Sequence, residues 1–177
     1  MFSIGDLSRG GKSRQTNKAY DHDFSAHKKL TPFGMLLPAT SESHIWFSTS
    51  KVTADFMVDR LEEVWSKLNE KYRPHTLVIN VDNGPECSGS RTQWLKHLVY
   101  FSQRIGVKIK LAYYHPYHRK YNPIERLLGV LENHWRGDLL STEEKSLGLA
   151  RSMTYKLIRP VVKIVRKVYQ LGVTLNK

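Results

Sequence analysis

Residues 113–135 read YYHPYHRKYNPIERLLGVLENHW, and this stretch decides how the fold is interpreted. A predicted strand runs into a basic, aromatic loop, and the loop runs into a predicted helix. Asn122 is a favourable N-cap, and Pro123 suits the first helical position, where a missing N–H costs nothing. Glu125 then falls in the first turn, where the helix dipole stabilises a carboxylate.

A carboxylate fixed at a helix start can do more than stabilise the helix. Glu125 lies in the sequence beside three cations, Arg119, Lys120 and Arg126. This arrangement suits a metal ligand that faces a polyanion. The alternative is an ordinary glutamate that only interacts with the helix dipole.

The composition indicates what kind of partner the chain binds. Its 177 residues include 28 Lys or Arg and 16 Asp or Glu, which gives a formal net charge of +12. Such an excess indicates an acidic partner, most simply nucleic acid. No apolar run approaches the roughly 18 residues of a membrane-spanning helix and no signal peptide is recognised, so we expect a cytoplasmic protein with no membrane partner. Cys87 is the single cysteine, which excludes an internal disulfide.

The apolar patterns predict alternating strands and helices. The first part of the chain predicts a β-hairpin from residues 33–40 and 44–50, a helix over 53–72, a strand over 77–81 and a helix over 91–105. Thr142 predicts the N-cap of a later helix, and Pro160 predicts the start of a last one. We therefore predict an α/β domain over residues 1–140 and a basic, helical C-terminal extension over 141–177.

The strand over 77–81 is the second anchor of the interpretation. Its near-continuous apolar run is typical of a central strand covered on both faces. It delivers Asp82 at its carboxyl end, where Gly84 and Pro85 force a turn. Open α/β sheets bind their ligands at that edge. A turn-forming aspartate is the alternative.

Two basic faces are predicted to contact a nucleic-acid backbone. Lys108 and Lys110 alternate with apolar residues, which predicts a half-exposed strand with a basic face. The predicted helix after Pro160 has an equally basic solvent face, formed by Lys163, Arg166 and Lys167. A solvated surface is the alternative for both.

Carboxylates from different elements that converge on one point suit two-metal phosphoryl transfer. Such a site holds two Mg²⁺ ions, one beside the attacking oxygen and one beside the leaving oxygen. Asp82 at a strand end and Glu125 at a helix start, in a basic protein, fit that chemistry.

The sequence resembles a DDE transposase with a ribonuclease H-like fold, and more closely the Rhodopirellula-type transposases of the ISAzo group of insertion sequences. The matching segments keep the family's order over nearly the whole chain: IGDLSRGGK at 4–12, DHDF at 21–24, PFG at 32–34, DNG at 82–84, SGSR at 88–91, KYNPIE at 120–125 and NHWRG at 133–137. By this resemblance Asp82 is the second acid of the catalytic triad and Glu125 is the third.

The resemblance also implies an activity, a cofactor and partners. The family is expected to catalyse DNA transposition as a metal-dependent polynucleotidyl transferase, with Mg²⁺ in a two-metal site. Its partners would be the transposon ends and target DNA, and a homo-oligomer stays open.

The family's first acid has no match in this sequence. It would lie on the first, central strand of the sheet, just before the segment that starts here at Ile4. We therefore expect an incomplete ribonuclease H-like sheet, truncated at the N-terminus, and a chain with little or no activity alone.

Three other readings remain open. The chain is alternatively a non-catalytic DNA-binding remnant or a ribonuclease H-like nuclease outside transposition. A zinc site at His115, His118 and His134 is the weakest of the three, because the loop that carries the first two equally suits DNA backbone contact.

Overall fold

The computed structural model describes residues 2–3, 29–81, 87–114 and 122–170. In chain order its elements are β1 (Phe2–Ser3), β2 (Lys29–Leu36), β3 (Ser43–Ser48), α1 (Ala54–Tyr72), β4 (Thr76–Val81), α2 (Thr92–Ile105), β5 (Lys108–Tyr113), α3 (Pro123–His134), α4 (Glu143–Ser152) and β6 (Val161–Val165). The mixed α/β class predicted from the sequence is confirmed.

The chain divides into two compact units. The first, here called the hairpin unit, comprises Met1–Ser50 and Pro123–Val168. The second, the insert unit, comprises Lys51–Asn122 and Tyr169–Lys177. The predicted division at residue 140 stays a prediction.

The sheet of the hairpin unit has the strand order β1-β2-β3-β6. β2 and β3 pair antiparallel, so the predicted hairpin is confirmed, although both strands begin and end earlier than predicted. β6 pairs parallel with β3, from His44 opposite Val161 to Ser48 opposite Val165. β3 therefore has a paired strand on each side, β2 on one and β6 on the other.

The helix predicted from Pro160 is wrong, because Val161–Val165 is a strand. Its sequence, VVKIV, is four-fifths β-branched, and branching at Cβ disfavours helices and suits a pleated strand. The apolar spacing fitted a helix equally well. A pairing partner in β3, far away in the sequence, decides the outcome.

One hydrophobic core fills the hairpin unit. It joins side chains of the sheet to side chains of α3, α4 and the segment after α4: Leu30, Ile45, Phe47, Leu127, Leu131, Trp135, Leu140, Leu147, Ala150, Met153, Tyr155 and Val162. Ile45, Leu127 and Leu131 are completely buried, and the rings of Phe47 and Trp135 meet edge to face at 5.9 Å. Burial on this scale fixes α3 against the sheet.

The helices of the insert unit have favourable residues at their ends. Thr53 caps α1 by accepting a hydrogen bond from the N–H of Phe56 at 3.3 Å. α2 ends at Gly106, whose φ of +65° suits glycine. Trp65 of α1 and Phe101 of α2 meet edge to face at 6.2 Å. Leu95 and Val99, on the outer face of α2, are exposed.

The strand predicted to be covered on both faces is not covered. β4 pairs parallel with β5 in a two-stranded sheet, and its residues alternate between exposed and half-buried. The side chain of Val78 is 57% exposed. Within the described residues β4 has a strand on one side only, and a parallel pair of this size cannot cover its own faces.

A membrane-spanning helix would need a long apolar stretch. No helix within the described part of the chain is long and apolar enough to cross a bilayer.

Candidate functional site

Glu125 lies where the sequence predicted it. Pro123 is the first residue of α3, and Glu125 follows in the first turn with its side chain exposed. No ion pair or hydrogen bond joins its carboxylate to another described residue. An exposed carboxylate oxygen at this position is available to a cation.

Buried neighbours on both sides hold Glu125 in place. Leu127 and Leu131, on the opposite face of α3, are completely buried in the core of the hairpin unit. Asn122, just before the helix, is 6% exposed. The start of α3 is therefore anchored, and Glu125 extends from packed helical backbone rather than from a loop.

Gly34 of β2 permits the close approach of α3. A Cβ at position 34 would lie 2.7 Å from Cδ1 of Ile124, the residue before Glu125. Atoms that close overlap, so only glycine lets Ile124 seat on the strand without a shift. The PFG segment, quoted above only as part of a resemblance, thus has a physical role in positioning the helix start.

Asp82, the other predicted catalytic residue, lies outside the described residues. β4 ends at Val81, so the strand that precedes Asp82 is confirmed. Val81 belongs to the insert unit and Glu125 to the hairpin unit. The pairing of the two carboxylates therefore stays a prediction.

The described residues do not assemble a metal centre by themselves. They contain no group of three or more His, Cys, Asp or Glu side chains that could hold a metal ion. The set predicted for Mg²⁺ includes Asp82, which is not among them. Glu125 fits such a site in chemistry and exposure, because Mg²⁺ prefers carboxylate oxygens.

The predicted zinc site also falls mostly outside the described residues. His115 and His118 lie outside the described residues, and His134 is the member of the set that the structure describes. Its Nε2 contacts Oγ of Ser152 at 2.9 Å, which occupies one ring nitrogen in a link between α3 and the end of α4.

The predicted basic face of β5 is confirmed as a structural feature. Lys108 and Lys110 are exposed, whereas Ile109 and Leu111 are half-buried. On the outer face of the pair Lys108 stands opposite Thr76 and Lys110 opposite the exposed Val78, so the positive charge of this face comes from β5. A face of this kind suits a phosphate backbone.

The three C-terminal cations, Lys163, Arg166 and Lys167, are all exposed, and Arg166 also pairs with a buried carboxylate. Arg166 donates through Nη2 to Oε2 of Glu143 at 2.6 Å, and the Glu143 side chain is only 9% exposed. Arg166 thus neutralises a buried carboxylate at the start of α4, which gives it a structural role that the sequence did not reveal.

Of the remaining predicted DNA contacts, the structure describes only Arg126. Arg126 is exposed, one residue after Glu125 on the first turn of α3. Arg119 and Lys120 lie outside the described residues.

Comparison with known proteins identifies a family. The family described as the Rhodopirellula transposase DDE domain matches residues 2–177. No curated protein and no solved structure matches the chain significantly.

Proposed function

Because the chain belongs to the Rhodopirellula transposase DDE domain family, we propose that Glu125 and Asp82 are two of the acids that carry transposition chemistry. The observation that supports this most is the position of Glu125. Its carboxylate is exposed in the first turn of a helix whose opposite face is completely buried. A group that must bind a metal needs both properties, access and a fixed backbone.

The two acids would hold Mg²⁺. Metal bound by these carboxylates would supply electrostatic stabilisation to the oxygen that attacks phosphorus and to the oxygen that leaves it. The residues of this chain contribute the ligands and their fixed placement. Water and then a DNA 3′-hydroxyl would be the nucleophiles in the intact family.

We propose a ribonuclease H-like arrangement for the complete domain. The antiparallel pair of β2 and β3 and the parallel pair of β4 and β5 correspond to two parts of that fold. In the fold implied by the resemblance, a central strand lies between these parts and carries the first acid. Among the described residues β4 pairs with β5 alone, which is consistent with such a neighbour on its other side.

Residues 1–177 on their own are expected to have little or no strand-transfer activity. The resemblance assigns to them two of the three acids, and two-metal catalysis needs the full set to hold both ions. A cytoplasmic location and self-association stay predictions.

DNA is the proposed partner, with contacts from the predicted cations that the structure describes. Lys108, Lys110, Arg126, Lys163, Arg166 and Lys167 are exposed and suited to phosphate. We expect truncation of each side chain to weaken DNA binding and to reduce the salt dependence of the affinity.

Metal-directed cleavage of the polypeptide tests the proposed acids without requiring catalysis. Fe²⁺ with ascorbate and peroxide would replace Mg²⁺ and cut the backbone near its ligands. We expect cuts close to residues 82 and 125, suppressed by excess Mg²⁺. Asp82→Asn and Glu125→Gln should each abolish the cuts at both places.

Glu132 provides the matched control. It is exposed on α3, two turns after Glu125, and Glu132→Gln should leave the cleavage unchanged. Cuts that persist in Glu125→Gln would refute the metal site. Two results together would favour the non-catalytic DNA-binding remnant. The wild-type chain would show no metal-directed cleavage, and a variant carrying both Asp82→Asn and Glu125→Gln would still bind DNA.

A further inference from the structure

A tight turn after α4 is unusual in its residues. Tyr155 and Ile158 exchange both backbone hydrogen bonds, at 2.9 and 3.0 Å. The two residues between them, Lys156 and Leu157, have φ angles of +48° and +67°. Two central residues with positive φ define the type I′ turn, which strongly favours Asn-Gly.

Lysine and leucine are poor choices for these positions. A left-handed conformation costs an ordinary L-residue roughly 1–2 kcal/mol, because Cβ approaches the following carbonyl oxygen. The turn is held from outside: Met153 is 1% exposed, Tyr155 is 8% exposed and Pro160 is buried. The surrounding core thus imposes a conformation that the two tip residues disfavour.

Leu157 gains nothing from packing in return. Its side chain is 95% exposed, more than that of any other large hydrophobic residue described. The next residue, Ile158, is 36% exposed. The fold therefore displays a leucine at a rigid tip, in a place where asparagine or glycine would stabilise it.

Cations flank the displayed leucine. Lys156 and Arg159 are both exposed, and Nζ of Lys156 lies 5.7 Å from the centre of the Tyr155 ring. An apolar side chain between two positive charges, on a rigid support, has the form of a wedge for stacked base pairs. Proteins that kink duplex DNA insert Leu, Ile, Met or Phe between base steps and neutralise the nearby phosphates.

We propose that the tip formed by residues 156–159 is a DNA wedge, in which Leu157 enters a base step of duplex DNA while Lys156 and Arg159 contact the phosphates beside it. This inference rests on the proposed function, which makes DNA the partner, and adds the manner of contact. Unstacking a base step costs a few kcal/mol. A flexible loop would bend away from the bases at that cost, whereas a turn fixed by its surroundings can hold the leucine in the step.

A lipid surface would also accept a leucine between cations. One leucine contributes about 2 kcal/mol when buried, which is far below what stable membrane anchoring requires. The net charge of +12 is spread over both units and includes the basic face of β5. Such a distribution favours a partner that carries many phosphates. Duplex DNA is therefore the occupant proposed.

The test compares Leu157→Asn with Leu157→Met in the full chain. Asparagine tolerates the left-handed conformation and removes the wedge, so Leu157→Asn should fold and raise the Tm. Methionine keeps an apolar wedge. The probe is a duplex of alternating dA and dT with 2-aminopurine at several adenine positions. TA steps unstack most easily, and several fluorescent positions detect unstacking wherever the chain binds along the duplex.

We expect the wild-type chain and Leu157→Met to raise the 2-aminopurine fluorescence on binding. Leu157→Asn should lose that rise and bind roughly tenfold more weakly, which corresponds to about 1.4 kcal/mol. Lys156→Ala and Arg159→Ala should each reduce the slope of log K against log salt by about 1 and keep the fluorescence rise.

Each contrary outcome has its own meaning. A Leu157→Asn chain that unstacks the probe like the wild type overturns the wedge and leaves the proposed function standing. Leucine-dependent binding to anionic vesicles, with the DNA signal unaffected, assigns the tip to lipid and also overturns the wedge. A wild-type chain that binds no duplex DNA overturns the proposed function and the wedge together.

Discussion

Two six-residue strands of this protein both contain apolar runs but have opposite surroundings. β3 of the hairpin unit reads SHIWFS, and five of its six residues are buried. β4 of the insert unit reads TLVINV, and none of its residues is buried. β3 has a paired strand on each side, whereas β4 has β5 on one side within the described residues. An apolar run thus predicts a strand, and its neighbours determine how much of it is covered.

The largest expected effect compares two isoleucines in these strands. Ile45 of β3 is completely buried and Ile79 of β4 is half-buried. Ile45→Ala should lower the free energy of unfolding by about 2–5 kcal/mol, and Ile79→Ala by about half as much, because less surface returns to water. Urea unfolding followed by circular dichroism measures both. Equal losses would show that β4 is covered by something in solution.

Two glycines give the next contrast. A Cβ at position 34 meets Ile124 at 2.7 Å, whereas a Cβ at position 89 meets the Tyr113 ring at 3.6 Å, an ordinary contact. Gly34→Ala should destabilise the hairpin unit by about 1–3 kcal/mol through overpacking, and Gly89→Ala should be close to neutral. Thermal melts of the two variants provide the measurement. A neutral Gly34→Ala would show that Ile124 moves aside freely.

Each unit also has a threonine-capped helix. Thr53 is 3% exposed, whereas Thr142 is exposed and accepts from the N–H of Lys145 at 3.1 Å. Thr53→Ala should cost about 1–2 kcal/mol and Thr142→Ala about 0.5–1 kcal/mol, because water can replace only the exposed cap. Replacement by serine, which retains the hydroxyl, is the control in both cases. The reverse order of costs would contradict the burial of Thr53.

The smallest expected effects concern two arginines. Arg166 pairs with Glu143, whose side chain is 9% exposed, and Arg104 pairs with Glu62, whose side chain is 37% exposed. Both arginines are mostly exposed, so screening reduces each value. Arg166→Gln should cost about 1 kcal/mol and Arg104→Gln less than about 0.5 kcal/mol. Unfolding in high salt should erase the Arg104 effect and leave part of the Arg166 effect, and the opposite result would contradict the burial of Glu143.

Features with local causes were predictable from the sequence. The cap Thr142 and the proline that starts α3 depend on a few adjacent residues, and the structure confirms both. The exposed position of Glu125 in a first turn follows from the same signals. That part of the candidate site could therefore be predicted without knowledge of the fold.

Features with distant causes were not predictable in this way. β6 fitted a helical spacing and became a strand because β3 pairs with it. Arg166 is exposed as predicted, but its pairing with Glu143 was not indicated by any local pattern. The turn at Lys156 and Leu157 lacked any turn-forming dipeptide, so no local pattern indicated it. The predicted convergence of Asp82 with Glu125 would also depend on distant parts of the chain, and it stays a prediction.

The pairing of β6 with β3 also governs how the protein is made. The two strands lie 117 residues apart in the sequence, so the ribosome finishes β3 long before its partner exists. At about 5–20 residues per second, the interval lasts roughly 6–23 seconds. Throughout it the apolar edge of β3 faces solvent, at risk of pairing with a neighbouring nascent chain. Yield during expression is therefore expected to depend on chaperones that act within those seconds, while Lys51–Asn122 of the insert unit is translated between the two strands.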